Sequence, residues 1–462
     1  MEDTICALAT PTGRSALSVV RMTGTKTLEI LKKTLPETQA LKHRVVVVNQ
    51  PFVDPQTKGM LDRVNVVCYE SPQSYTGDDL CEITLHGNPI LVHEALNILC
   101  SQGCRLAREG EFTLRAYMNE KMDLSAAEAV AHVIDSNSLR ELRIANQELG
   151  GETGKRLLQV KEQLMSLQAD IEAAIDFSNE GDVDTLPVDE RMKQKLYETI
   201  QIVAALLQTY QQGKVLIHGF SVVLAGKPNV GKSTLFNSIV EKNRAIITHI
   251  AGTTRDVLYE TKKMGTIQMK FYDTAGIHNS QDIIEKIGIQ KTLETISNAD
   301  AVFFILDGSS PIDSCDEEAY KAISETIGIK KVPLYVLVNK SDLARKIHEK
   351  DIQKNFPCEN LFWLSARTGQ GLEDIMGALE EMFEEDDRSS AEFLLTNTRQ
   401  FVSLQQALES LKNISSALDQ KVAYECLSVD VAYVLDNLSQ ITGETTPEDI
   451  IRKIFSQFCI GK

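Results

Sequence analysis

Glycine, lysine and serine recur at a spacing that handles phosphate. Residues 226–233 read Gly-Lys-Pro-Asn-Val-Gly-Lys-Ser, with Gly231, Lys232 and Ser233 in the fixed places of G-x-x-x-x-G-K-[ST]. Glycines let successive backbone N–H groups turn inward around a phosphate, and a helix starting there adds the positive end of its dipole. In such a loop Lys232 reaches the β and γ phosphates and Ser233 ligates Mg²⁺, with Asn229, Val230 and Thr234 completing the nucleotide contacts.

The loop alone does not choose between adenine and guanine. Asn339-Lys340-Ser341-Asp342 follows an apolar run, and the Asp342 carboxylate can accept both guanine N1–H and the exocyclic amine, a donor pair adenine lacks. Just past the next apolar run, Ser365-Ala366-Arg367 offers backbone N–H groups to guanine O6. Asp273-Thr274-Ala275-Gly276 supplies a carboxylate that holds Mg²⁺ through water and a glycine N–H for the γ-phosphate. Four such elements in this order imply a GTP-binding, GTP-hydrolysing enzyme. Ile277 follows Gly276, and an aliphatic side chain cannot orient the attacking water as a glutamine does, so another group must.

These residues need a scaffold. Apolar runs at 221–225, 269–272, 301–306, 334–338 and 361–364 alternate with helical patterns, which predicts a doubly wound, Ras-like α/β domain over 216–380. Upstream, residues 1–118 mix β-like runs at 16–21, 44–49, 65–69 and 80–85 with a helix over 89–100, an α+β domain. Residues 119–215 and 381–462 carry helical periodicity, so the α/β unit is inserted into a long-helix domain. Residues 396–400 are either an approach to a partner or an exposed polar helix start.

Composition narrows the classes further. A chain of 462 residues exceeds one core, and 43% hydrophobic with 24% charged residues is ordinary for a globular protein. No run approaches the roughly 18 apolar residues of a membrane span, and the N-terminus lacks leader character, so a cytoplasmic protein without a stable membrane anchor is expected. The net charge of −17 disfavours non-specific coating of nucleic acid. Nine cysteines without paired ligand spacing read as reduced thiols, with Cys100 and Cys104 one helical turn apart as small buried hydrophobes.

With its motifs assembled, the chain resembles the translation-factor-related GTPases and, within them, over its whole length, the MnmE (TrmE) family of tRNA-modification GTPases. The marks are Ser74-Tyr75-Thr76-Gly77, Gly110-Glu111-Phe112-Thr113-Leu114-Arg115-Ala116, Gly252-Thr253-Thr254-Arg255-Asp256, Ile287-Gly288-Ile289 and Phe458-Cys459-Ile460-Gly461-Lys462. For hydrolysis, the resemblance implies K⁺ placed like an arginine finger, held by Asn229, Thr248, Ile250 and Thr253, with Ala251 and Gly252 in the same nucleotide-binding segment. It also implies Thr254 on Mg²⁺ and Glu285 as the catalytic glutamate that holds water. G domains would pair in the GTP- and K⁺-bound state.

For the N-terminal domain, the resemblance implies a folate-binding fold that forms a constitutive homodimer and takes a tetrahydrofolate derivative in the 5-formyl or methylene form. Arg21, Glu82, Lys121 and Lys462 would line that site, and Cys459 would be a functional thiol. The implied reaction adds an aminomethyl or carboxymethylaminomethyl group to carbon 5 of a tRNA wobble uridine, in a heterotetramer with the flavoprotein MnmG (GidA). The alternative is a regulatory GTPase in ribosome assembly with no modification chemistry of its own.

Overall fold

The structure is a computed structural model that describes residues 3–36, 46–136, 138–177, 186–241, 259–264, 267–273, 295–296, 299–328, 332–358, 360–387 and 394–462. It divides into two compact units: Met1–Ser136 with Leu142–Leu207 and Arg399–Lys462, and Asn137–Glu141 with Gln208–Thr398.

In the first unit, β1 (Thr4–Leu8), β2 (Leu17–Thr23), β3 (Val46–Val53), β4 (Met60–Tyr69), β5 (Leu80–His86) and β6 (Cys104–Leu106) form one sheet in the order β3-β4-β5-β2-β1-β6. Only β6 runs parallel to its neighbour; the other pairings are antiparallel. The helix Pro89–Ser101 starts where Asn88 caps it and Pro89 fits the first turn, and it buries Val92, Ala95, Ile98 and Leu99. These side chains join sheet residues such as Val20, Val66 and Ile83 in one core. Register aligns Cys6 with Met22, Met22 with Cys81 and Cys81 with Cys68, so a row of sulfur side chains crosses one face of the sheet. Cys104 does not share a helix with Cys100: the helix ends at Ser101, and Cys104 opens β6 with its Sγ 3.1 Å from Met22 Sδ.

The motif of residues 110–116 is a structural clamp. Gly110 sits at φ 63°, and a Cβ there would come within 2.6 Å of the Phe455 carbonyl, so a side chain is excluded. The helix Glu111–Met118 then presents Glu111 and a fully buried Arg115 to Asp3 and Arg105. The helices Leu124–Asp135, Glu152–Phe177 and Tyr424–Thr442 pack on one another. Arg399 ties the first of these to the third, donating two bonds to Glu128 and one each to the carbonyls of Gln440 and Ile441. Within residues 396–400, Thr396 is fully buried and Gln400 is 1% exposed, whereas Thr398, the first residue of the helix Thr398–Asp419, is exposed.

The second unit holds a sheet in the order β12-β11-β10-β7-β9-β8, from β7 (Phe220–Ala225), β8 (Tyr259–Met264), β9 (Ile267–Asp273), β10 (Ala301–Asp307), β11 (Leu334–Asn339) and β12 (Asn360–Trp363). All pairs are parallel except β8 with β9. Val302, Phe303, Phe304, Ile305 and Leu306 are wholly buried, as expected of a central strand covered on both faces. Each contributes about 2 kcal/mol by leaving water. The strand order reverses between β7 and β10, and in open α/β sheets ligands bind beyond the strand ends at such a point.

Candidate functional site

Beyond β7 the chain turns through Gly226 and Asn229 into the helix Lys232–Glu241, which begins with Lys232 and Ser233. Gly226 lies at φ 144° against the Ile305 carbonyl, and Asn229 adopts φ 67° with an exposed side chain. Gly231 is required by contact as well as by φ, because a Cβ there would lie 2.3 Å from Asn339 Nδ2. Lys232 is nearly buried, and its Nζ donates to the carbonyls of Gly226 at 2.7 Å and Lys227 at 2.9 Å. The ammonium is thus held against the backbone of the loop that phosphates would enter.

The residues expected to read the base bond directly to this loop. Asn339 ends β11, is 2% exposed, and donates from Nδ2 to the Val230 carbonyl at 2.7 Å while its Oδ1 accepts the Ala366 N–H at 2.9 Å. Lys340, at φ 64°, donates to the Asn229 carbonyl at 3.0 Å and to Asp307 at 2.7 Å. Burial alone would raise the Asp307 carboxyl, but Lys340 and Ser309 outweigh it and hold it below the usual carboxylate range. Ser365, fully buried after β12, donates to Asp342 Oδ1 at 2.7 Å and so orients the exposed carboxylate. Arg367 follows on the surface, and the chain's single tryptophan, Trp363, stacks under Arg345 with the guanidinium 4.4 Å from the ring centre.

Asn229, Val230, Asn339, Lys340 and Ala366 therefore form one bonded group, with Lys232 and Ser233 at the head of the adjoining helix and Thr234 next along it. Asp307 was not legible as their partner, although its position at the end of an apolar strand was a signal. Asp273 closes β9 beside Leu224, with its side chain outside what is described. Thr248, Ile250, Ala251, Gly252, Thr253, Thr254, Thr274, Ala275, Gly276, Ile277 and Glu285 lie outside the described residues. The chemistry of the loop fits GTP with Mg²⁺, since a glycine cradle, a lysine and a helix-starting serine are the donors a triphosphate needs.

A second constellation occupies the N-terminal sheet. Arg21 on β2 faces Glu82 on β5 in direct register, with Nη2 2.7 Å and Nε 3.1 Å from Glu82 Oε1. The guanidinium lies over the rings of Tyr75 at 5.5 Å and Phe112 at 5.7 Å, partners that sequence reasoning quoted as motif without giving them this role. Arg21 Nη1 also reaches the Gly461 carbonyl at 3.4 Å, and the Phe112 N–H donates to the Lys462 carbonyl at 3.1 Å. Gly461 sits at φ 99°, where a Cβ would meet the Leu8 carbonyl at 2.3 Å, so this tail is threaded tightly against β1. Burial first, then repulsion from Arg21, pulls the Lys462 ammonium below the usual lysine value despite the attraction of Glu82 and Cys459. Lys121 binds the Pro72 carbonyl at 2.9 Å instead, and Cys459 is exposed. A cation stacked over aromatic rings beside a carboxylate fits a ligand that carries carboxylates and a flat ring with paired N–H groups, as a folate does.

Residues 4–121 match the family described as GTP-binding protein TrmE N-terminus, and residues 124–459 match the MnmE helical domain. Among curated proteins, the tRNA modification GTPase MnmE of Koribacter versatilis is 37% identical over 465 residues, covering all of both chains. Its counterpart from Syntrophus aciditrophicus is 34% identical over 469 residues, again with full coverage of both. Of solved structures, the G domain of the T. maritima FeoB iron transporter covers 35% of this chain and 97% of its own, at 26% identity and a TM-score of 0.27.

Proposed function

The chain belongs to the MnmE family of tRNA-modification GTPases, and from that premise we propose that it hydrolyses GTP in a K⁺-dependent manner to drive modification of tRNA at the wobble uridine. The observation that carries the GTP reading is Asn339, which bonds the base-reading loop to the phosphate loop through Val230. Recognition of guanine and capture of phosphate are thereby one rigid event.

The family, the glycine cradle and Lys232 support Mg²⁺-GTP at residues 229–234, 273–276, 339–342 and 365–367. Asn229, turned outward at φ 67°, supports its part in a K⁺ site with Thr248, Ile250 and Thr253, where the ion would supply positive charge toward the phosphates. Thr254 completes the Mg²⁺ ligands with Ser233, and Glu285 holds the attacking water. The paired G domains of two copies complete this arrangement.

The Arg21–Glu82 pair and the docked tail support tetrahydrofolate binding in its 5-formyl or methylene form, with Lys121 and Lys462 on the same ligand. An exposed apolar set on the N-terminal sheet, including Val46, Val48 and Met60, supports a homodimer through this domain. The modification itself, an aminomethyl or carboxymethylaminomethyl group at carbon 5, is shared with the flavoprotein MnmG in a heterotetramer, and Cys459 supplies a thiol to it. No helix among the described residues is long and apolar enough to cross a membrane, in keeping with a cytoplasmic reading. The test is mass spectrometry of the wobble nucleoside after incubating the protein with MnmG, tRNA, GTP, a reduced folate and glycine or ammonium. An unmodified uridine alongside active GTP hydrolysis would favour a regulatory GTPase without its own modification chemistry.

A further inference from the structure

Lys227, the second residue of the phosphate loop, points away from the lysine that serves the phosphates and into the head of the helix Ser314–Gly328. Its Nζ lies 2.7 Å from Asp313 Oδ2 and 2.7 Å from Asp316 Oδ2. The two aspartates also bond reciprocally, Asp313 N–H to Asp316 Oδ2 at 3.2 Å and Asp316 N–H to Asp313 Oδ1 at 3.1 Å, which closes the first turn of that helix. Asp316 is 2% exposed and its Oδ1 has no partner among the described residues, so within them its buried charge is compensated from one side. A buried carboxylate that loses its cation is strongly destabilising to its surroundings. On the loop side, the Lys227 carbonyl accepts from Lys232 Nζ. One residue thus joins the phosphate-binding lysine, through its backbone, to a buried acid, through its side chain.

We propose that Lys227 is a positioning residue for the nucleotide: it pins the opening turn of the phosphate loop to the helix Ser314–Gly328 and cancels the Asp316 charge beside a loop that must accept a polyanion. Consistent with this arrangement, the two carboxylates raise the Lys227 ammonium above the usual lysine value, although burial, the largest influence, opposes them. Lys227 touches no reacting atom in this role, so its loss falls on nucleotide affinity more than on the chemical step. The effect has an electrostatic part, and removing the stranded carboxylate in turn relieves it.

The inference rests on the GTP reading of the loop, and the full-length protein tests both. Binding of mant-GDP and mant-GTP is measured by fluorescence for the wild type, K227A, K227R and K227A/D316N, together with kcat and KM for GTP. The expected result is a roughly tenfold rise in Kd and KM for K227A, a smaller change in kcat, recovery to within about threefold in K227R, and partial recovery in K227A/D316N. A K227A affinity within twofold of wild type overturns the proposal. So does a K227R variant that fails as K227A does, a double variant no better than K227A, or a loss confined to kcat. A wild-type chain that binds no mant-GDP fails the GTP reading itself and is distinguishable from all of these.

Discussion

Asn339 and Val230 are joined by a 2.7 Å bond from the Nδ2 amide to the backbone carbonyl, 109 residues apart in sequence. With the Ala366 N–H on its other end, this buried amide is the hub of the proposed nucleotide site. Asn339→Ala strands a carbonyl and an N–H, at about 1–3 kcal/mol each, and is expected to weaken mant-GDP binding by about 100-fold or more. Asp342→Asn acts on base choice: its amide presents a donor where guanine presents one, so preference shifts from GTP toward xanthosine triphosphate. Competition of the two triphosphates against mant-GDP reads the shift, and unchanged preference would contradict the assignment of Asp342.

Glu111 is held between Arg105, at 2.6 Å, and Arg115, at 3.3 Å, with the Arg108 N–H on its second oxygen. Burial works to raise its carboxyl, but these partners prevail and hold it below the ordinary 4.5. A depressed folded-state pKa stabilises the fold above the unfolded value, and that contribution is lost as pH falls through the folded value. Glu111→Gln is therefore expected to cost roughly 3 kcal/mol at pH 7 in urea unfolding, with the gap to wild type closing below pH 4.5. A gap that stays constant on acidification would show that charge is not the cause.

Glu82→Gln leaves the shape of the N-terminal site while removing the charge opposite Arg21. Affinity for 5-formyltetrahydrofolate is expected to fall about tenfold by calorimetry, equivalent to about 1.4 kcal/mol, because a charge-assisted acceptor becomes a neutral one. GTP turnover measured on the same sample should not follow the loss. If folate affinity is unaltered, the ligand does not use the Arg21–Glu82 pair.

Turnover in potassium chloride is expected to exceed that in sodium chloride by at least about tenfold, in line with what one well-placed charge contributes to a transition state. Asn229→Ala should remove most of the difference while leaving mant-GDP bound, since the Asn229 contact to Lys340 is through the backbone carbonyl. Equal rates in the two salts would end the K⁺ assignment.

The parts legible in the sequence were those specified locally. The loop of residues 226–233 and the run preceding Asn339 carry their geometry in their own glycines and apolar residues, and β7, β10 and β11 lie within a residue or so of where their runs predicted. Short elements escaped notice: β6 has three residues, and Thr27–Thr34 and Glu111–Met118 have eight each, too few turns for a periodicity to stand out. Contacts to remote partners were not legible for a different reason. Gln400 meets Glu128 and Arg115 meets Asp3 only in the folded chain. A residue cannot announce a partner that only folding supplies.

The Arg399–Glu128 tie spans 271 residues, and the whole of Gln208–Thr398 lies between its ends. During synthesis at about 5–20 residues per second, Glu128 waits roughly 14–54 seconds for its guanidinium to be made. Most of the GTPase unit is a contiguous stretch complete before then, whereas the first unit closes only once its last segment arrives. A ribosome therefore releases this chain with its nucleotide switch able to form early and its helical framework last, and the interval is one in which a chaperone would find Glu128 and its neighbours uncovered.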